Sequence, residues 1–169
     1  MVGRDLGTRK RQKRGSVLFF EEPDFFPNSI NGDIVKIELD TCLICYGPEP
    51  DADDETEQIL TLTKDSLTLK RYLYGEIGDC RIYSFAERRI SEKTGTAVMN
   101  RILEFFEKSR NDILFITDLG NWSLRLNSNE NDIFSLSGTP GDKRLVKFSR
   151  YIRRKLGIKE LFLFDGKNK

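Results

Sequence analysis

The sequence predicts an α+β fold, in which a mostly antiparallel, twisted sheet of about seven or eight strands carries two helices on one face. Apolar residues alternate with polar ones through several short segments, which is typical of half-buried strands. Two later segments instead place apolar residues at helical spacing, so two helices are expected. Most connections between successive strands are too short for the crossover that parallel strands need, which favours an antiparallel sheet.

The first half of the chain is predicted to supply four or five strands. They are expected at residues 16–20, 33–46, 58–63, 66–74 and 80–85. In the second of these strands, Val35, Ile37 and Leu39 alternate with Lys36 and Glu38, which is the period of two that a half-buried strand requires. The short connections between the strands indicate hairpins.

The second half of the chain is predicted to alternate helices with strands. A first helix should begin at Thr94 or Thr96, both of which are good N-cap residues, and should run to about Ser109. Thr139 is expected to cap a second helix, which ends before Gly157 because glycine favours the left-handed conformation found after helices. The remaining strands are expected at residues 113–117, 122–126, 132–136 and 160–164.

The net charge of +1 conceals blocks of opposite sign. Residues 1–14 hold six basic residues and one acid, and we expect a flexible basic arm because they contain too little apolar surface to pack. Residues 15–169 are then expected to form a single α+β domain. Within that domain, residues 47–57 carry six acids and no base, which indicates a solvated acidic loop.

The second helix is predicted to present a row of basic side chains to solvent. At about 100° per residue, the members of the row fall within about 60° of the helix circumference. They are Lys143, Lys147, Arg150 and Arg154, and the apolar stripe on the opposite side consists of Leu145, Phe148, Ile152 and Leu156. The row is either an ordinary solvated face or a contact surface for an anion. That anion is a nucleic-acid backbone, an acidic protein or the acidic loop of the chain itself.

The complete absence of histidine excludes much of enzyme chemistry. Serine–histidine catalysis, cysteine–histidine catalysis and histidine-liganded zinc all require an imidazole. Cys42 and Cys45 have the C-x-x-C spacing, but within an alternating strand an offset of three residues places the two thiols on opposite faces. An enzymatic role is therefore disfavoured, and we expect no catalytic residue, no cofactor and no metal site.

Our leading hypothesis is a non-enzymatic binding or regulatory protein that engages an anionic partner, either a nucleic-acid backbone or an acidic protein surface. The basic row and the basic arm are expected to make the contact. The arm residues concerned are Arg9, Lys10, Arg11, Lys13 and Arg14. No apolar run approaches about 18 residues, and three cysteines without an export signal are typical of a reducing compartment. We therefore expect a cytoplasmic protein with no membrane partner.

Two alternatives come from other classes of protein. In the first, the acids of residues 49–57 mimic nucleic acid, and the chain is a protein-binding inhibitor or immunity-type factor. In the second, Asp118 at the end of the predicted strand 113–117 is the centre of a metal-dependent nuclease. The second alternative requires at least one further carboxylate within about 4–6 Å of Asp118.

Overall fold

A six-stranded antiparallel sheet and two helices form the described part of this computed structural model. The structure describes residues 30–44, 49–75, 80–108 and 120–166. The strands are β1 (Ile34–Cys42), β2 (Glu55–Leu62), β3 (Ser66–Tyr74), β4 (Cys80–Arg89), β5 (Asn121–Ser128) and β6 (Ile133–Gly138), and the helices are α1 (Glu92–Lys108) and α2 (Lys143–Leu156). Every neighbouring pair in the order β4-β3-β2-β1-β5-β6 is antiparallel. The predicted α+β class is confirmed.

One face of the sheet carries the hydrophobic core and both helices. Leu39 of β1 lies opposite Leu60 of β2 on one side and opposite Leu124 of β5 on the other, so these three leucines project to the same face. The ring of Trp122 in β5 is fully buried and lies 5.4 Å from the ring of Phe106 in α1. The buried residues of α1 and α2 belong to this same cluster. Both helices therefore cover one face, as the sequence predicted.

The sheet has slightly fewer strands than predicted. Two of the predicted strands, at residues 16–20 and 113–117, lie outside the described residues. The predicted strand at 160–164 is wrong, because that segment forms only an isolated bridge and no ladder. The described sheet consequently has six strands.

The segment that replaces the last predicted strand is held by side chains. The backbone N–H of Phe162 donates to Oε1 of Gln58 at 2.9 Å, and the carbonyl of Leu161 accepts from Nε of Arg153 at 2.8 Å. All four residues from 161 to 164 are buried. A run of buried apolar residues suits a strand and a core-packed extended segment equally well, so the sequence pattern did not distinguish them.

Helix α1 begins at Glu92, earlier than either predicted cap. The cap is Ser91, whose Oγ accepts a hydrogen bond from the backbone N–H of Thr94 at 3.2 Å. Thr94 and Thr96 lie inside the helix. The prediction was wrong because three hydroxyl residues stand close together here, and each is a chemically suitable cap.

Candidate anion-binding face of the second helix

Helix α2 begins at Lys143 because Asp142 supplies its cap. Asp142 has extended backbone (φ −70°, ψ 136°), and its Oδ1 accepts a hydrogen bond from the backbone N–H of Arg144 at 2.7 Å. The side chain of Arg144 also donates to this carboxylate, which lowers the pKa of Asp142. The predicted cap, Thr139, is wrong. Thr139 is buried, and its carbonyl accepts from Nε1–H of Trp122 at 3.2 Å.

Packing against α1 fixes which side of α2 faces solvent. The ring of Phe148 stacks on the ring of Phe105, with centroids 4.1 Å apart and planes only 3° from parallel. The same ring meets Phe106 edge-on at a centroid distance of 6.3 Å. The predicted apolar stripe of α2 is confirmed, since all four members are buried: Leu145, Phe148, Ile152 and Leu156.

Four basic residues lie on the side of α2 that faces away from the core, and all four are exposed. They form what we call the basic row: Lys143, Lys147, Arg150 and Arg154. At about 1.5 Å of rise per residue, the row extends for about 16 Å along the helix. Helix geometry thus brings these four side chains into one line.

No member of the basic row forms an ion pair with a carboxylate in the described part of the chain. Other basic residues of α2 do have partners. Arg144 lies 2.9 Å from the carboxylate of Asp142, and Arg153 lies 2.6 Å from that of Asp165. Of the five bases of α2 that pair with no carboxylate among the described residues, four form the basic row, and the fifth, Lys155, lies over the ring of Tyr151.

Arg153, for which the sequence pattern predicts no role, is only 5% exposed. Its two terminal nitrogens donate to the two carboxylate oxygens of Asp165 at 2.8 and 2.6 Å. It also donates to the carbonyls of Leu161 and Gly166 at 2.8 and 2.9 Å. The signal available in the sequence was an acid placed directly after a buried apolar segment, where a carboxylate requires a cation.

An open cavity of about 350 Å³ lies at the C-terminal end of α2. Its lining residues are Arg150, Arg153, Arg154, Gly157 and Lys159. Its volume is at the lower end of the range for small-molecule pockets. Two members of the basic row therefore line a concave, open part of the surface.

Two of the last four carbonyl groups of α2 have hydrogen-bond donors. A helix C-terminus normally repels an anion because its last carbonyls carry partial negative charge. Here the carbonyl of Arg153 accepts from the backbone N–H groups of Gly157 and Ile158, and the carbonyl of Leu156 accepts from the guanidinium of Arg88 in β4. Gly157 has a φ of 67°, the left-handed conformation predicted for the residue that ends the helix. These donors weaken the repulsion that an anion in the cavity would meet.

The acidic loop is shorter than the predicted range 47–57, because β2 begins at Glu55. Its acids contact the neighbouring strands. Glu55 binds Arg71 at 2.6 Å, and Asp53 pairs with Arg81. Within the described residues, no acid of this segment pairs with the basic row. Its role as a nucleic-acid mimic or an autoinhibitory segment stays a prediction.

Carboxylates also meet on the sheet face opposite the helices, and the sequence analysis did not single them out. Asp40 in β1 is half-buried, and its Oδ1 has no hydrogen-bond partner among the described residues. Burial raises the pKa of Asp40, and the negative charge of Glu38 raises it further. A hydrogen bond with Glu57 and the positive charge of Arg125 lower the pKa by less. The ionised form of Asp40 is therefore disfavoured in the folded protein.

Replacing Asp40 with asparagine (D40N) is expected to raise the Tm at neutral pH. The pKa of Asp40 is higher in the folded protein than in the unfolded chain. Protonated Asp40 therefore stabilises the folded protein fully below the unfolded-state pKa, and this stabilisation is lost as the pH rises through the folded-state pKa. The advantage of D40N should therefore shrink as the pH falls to about 3. Thermal unfolding between about pH 3 and pH 7 measures the difference in Tm between D40N and the unsubstituted protein. The control is E87Q, because Glu87 is an exposed carboxylate. Equal Tm values for D40N and the unsubstituted protein at pH 7 would contradict this expectation.

Two predicted features lie outside the described residues. They are Asp118 and the arm residues Arg9, Lys10, Arg11, Lys13 and Arg14. Their roles stay predictions. Among the residues that the structure does describe, no group of three or more cysteines and acids is placed to hold a metal ion. No described helix is long and apolar enough to cross a membrane.

Comparisons with protein-family models, with curated proteins and with solved structures give no match for this chain. A functional assignment therefore depends on the residues and geometry of the chain itself. Within the described residues, the basic row and the adjoining cavity are the features whose charge and shape together suit a ligand.

Proposed function

We propose that this chain is a non-enzymatic, cytoplasmic binding protein that engages an anionic partner through the basic row of α2. The partner is a nucleic-acid backbone or an acidic protein surface, and the basic arm adds to the contact. The observation that carries the proposal is the exposure of all four basic side chains together with the absence of any ion pair to them among the described residues.

The energetic cost of the row supports this proposal. Like charges at i,i+4 spacing destabilise a helix by about 0.2–0.5 kcal/mol per pair. Lys143 and Lys147 have this spacing, and so do Arg150 and Arg154. An anion bound along the row would make the net electrostatic contribution of these four bases favourable, whereas their mutual repulsion is unfavourable. The helix dipole favours Arg154 in the last turn of α2 but disfavours Lys143 in the first turn, so it does not account for the whole row.

The test is a double charge reversal in the middle of the row, K147E/R150E. We expect affinity for an anionic polymer to fall at least about 100-fold at low salt, because two charge-assisted contacts become repulsive and each is worth about 1.5–3 kcal/mol. The measurement is fluorescence anisotropy with labelled mixed-sequence RNA, mixed-sequence DNA duplex and polyglutamate as separate probes. Both side chains are exposed and both i,i+4 pairs become attractive, so the Tm should not fall and should rise slightly.

The matched control is K70E/R89E, which reverses one lysine and one arginine on the other face of the sheet. Lys70 lies opposite Phe85 in the β3–β4 pair, next to the core-facing Leu69, and it is exposed. Arg89 is exposed and adjoins Arg88, which reaches α2, so Arg89 projects away from the helices. This control changes the net charge equally and should retain most of the binding. Equal losses in the two variants, or no binding of any probe by the unsubstituted protein, would overturn the proposal.

A further inference from the structure

The cavity at the C-terminal end of α2 suggests what kind of anion the basic row binds. We infer that this cavity binds one phosphate group of a nucleic-acid backbone, and that the rest of the row follows the adjoining phosphates. The inference rests on the proposed function and narrows it, because it makes the partner a nucleic acid and not an acidic protein.

The identity of the basic residues at the cavity favours phosphate. Arg150 and Arg154 both line the cavity and are exposed one helical turn apart. A guanidinium presents two parallel N–H groups, which match the oxygens of a phosphate, whereas a lysine ammonium acts as a point charge. The lysines Lys143 and Lys147 occupy the other end of the row, outside the cavity lining. The two residues of the row that carry forked donors are therefore the two that line the concave surface.

Arg153 also lines the cavity, and its guanidinium is already paired within the protein. Arg153 is held by both carboxylate oxygens of Asp165 and by two backbone carbonyls. Both oxygens of Asp165 are thereby directed at a cation and not at the cavity. Two of the last four carbonyls of α2 are also hydrogen-bonded, since that of Arg153 accepts from Gly157 and Ile158 and that of Leu156 accepts from Arg88. An anion in this position therefore meets a helix end that is partly satisfied and a carboxylate of Asp165 that is already paired.

Gly157 lines the cavity at a point where the backbone faces open space. A Cβ added to Gly157 would have no heavy atom within 4 Å, so the backbone here faces open space. Gly157 lines the cavity and has a φ of 67°, which a glycine adopts without strain. The residue that ends the helix thus leaves the cavity accessible to a ligand group.

The length of the row also suits a nucleic-acid backbone. Double-stranded DNA carries about one phosphate per 3.4 Å of axis on each strand, so about 16 Å of helix faces roughly five phosphates. Four regularly spaced cations match such a regular array of charges. With four phosphates neutralised, the slope of log K against log salt should be about −3.6 for a duplex and about −2.8 for a single strand.

The experiment uses charge-conserving substitutions in the full chain. R150K/R154K removes both guanidinium forks and keeps every charge, while K143R/K147R is the reciprocal control at the other end of the row. Binding is measured by anisotropy with a mixed-sequence 20-mer, as single strand and as duplex, and by competition with polyglutamate of similar charge. We expect R150K/R154K to lose about tenfold or more in affinity with an unchanged salt slope, and K143R/K147R to stay within about twofold.

The outcomes separate this inference from the proposed function. If R150K/R154K binds the oligonucleotide as well as the unsubstituted protein, the phosphate site is overturned, although a loss in K147E/R150E would still support the proposed function. If polyglutamate competes as well as the oligonucleotide at equal charge, the partner is an acidic protein and the nucleic-acid assignment is overturned. A preference for the single strand or for the duplex supports the inference in either case and identifies the form of nucleic acid.

Discussion

Replacing Asp165 with alanine (D165A) is expected to lower the free energy of unfolding by about 3–5 kcal/mol. Asp165 and Arg153 form a bidentate pair at 2.6 and 2.8 Å, and both side chains are less than one-tenth exposed. Without the carboxylate, a buried guanidinium keeps only its two carbonyl contacts and has no opposite charge. Chemical denaturation monitored by Trp122 fluorescence, together with circular dichroism, measures the change.

The exposed pair between Arg101 and Glu104 provides the control for D165A. These side chains lie 3.1 Å apart and are about half exposed, so E104A should change the free energy of unfolding by no more than about 1 kcal/mol. A double variant, R153M/D165L, should recover part of the loss because no buried charge remains. Recovery will be incomplete, since the carbonyls of Leu161 and Gly166 lose their donor. If D165A proved as stable as E104A, the pair would not be the buried link between α2 and the C-terminal segment.

Replacing Gly95 with alanine (G95A) is expected to destabilise the protein by about 1–3 kcal/mol. In an exposed helix interior the same change would stabilise by about 1 kcal/mol, because alanine is the better helix former. At Gly95 a Cβ would lie 2.1 Å from the carbonyl oxygen of Lys64 and 2.7 Å from that of Thr63. Both contacts are to backbone of the turn between β2 and β3, which cannot move without disturbing the hairpin.

The control for G95A is N100A, at an exposed position of the same helix. Asparagine is a poorer helix former than alanine, so N100A should raise the Tm slightly while G95A lowers it. Because the two changes in Tm are expected to have opposite signs, they distinguish the effect of the close contact at Gly95 from the effect of helix propensity. If both variants were stabilised, α1 would not approach the β2–β3 turn as closely as described. The two unfolding curves are measured under identical conditions by circular dichroism.

The features of α2 that depend on angular position were predictable from the sequence. Side chains on a helix follow a fixed rotation of about 100° per residue, so the placement of Phe148 inward and of Lys147 outward needs no knowledge of the fold. The alternation in β1 was predictable for the same reason, since a strand turns its side chains by half a rotation per residue. These predictions use only local geometry, which is the same in every fold.

The ends of the elements were less predictable because several neighbouring residues have equivalent chemistry. Ser91, Thr94 and Thr96 are all suitable caps, and the end of β4 at Arg89 decides which of them caps α1. In α2, Thr139 follows directly after β6 and binds Trp122 through its carbonyl, so the cap falls to Asp142. In both cases the local chemistry offered a choice, and the packing of adjacent elements decided it.

The candidate site likewise has one part that is predictable from local geometry and one part that depends on packing. The basic row itself is a property of one helix, and its members were identified from spacing alone. The cavity beside it is also lined by Lys159 and by Arg153, which pairs with Asp165. Near it, Arg88 from a distant strand reaches the carbonyl of Leu156. No spacing rule connects residue 88 with residue 156, because their contact exists only after the sheet and α2 have packed together.

The amino-acid sequence alone determined the class of fold, the sidedness of α2 and the exclusion of histidine-dependent chemistry, because composition and local periodicity are properties of the chain before it folds. Only the tertiary structure decided that Arg153 lies inside while Arg150 and Arg154 face a cavity, and that the segment after α2 packs into the core without joining the sheet. The physical reason is that burial and ion pairing depend on which distant groups meet, and a buried guanidinium is stable only where a carboxylate arrives from elsewhere in the chain.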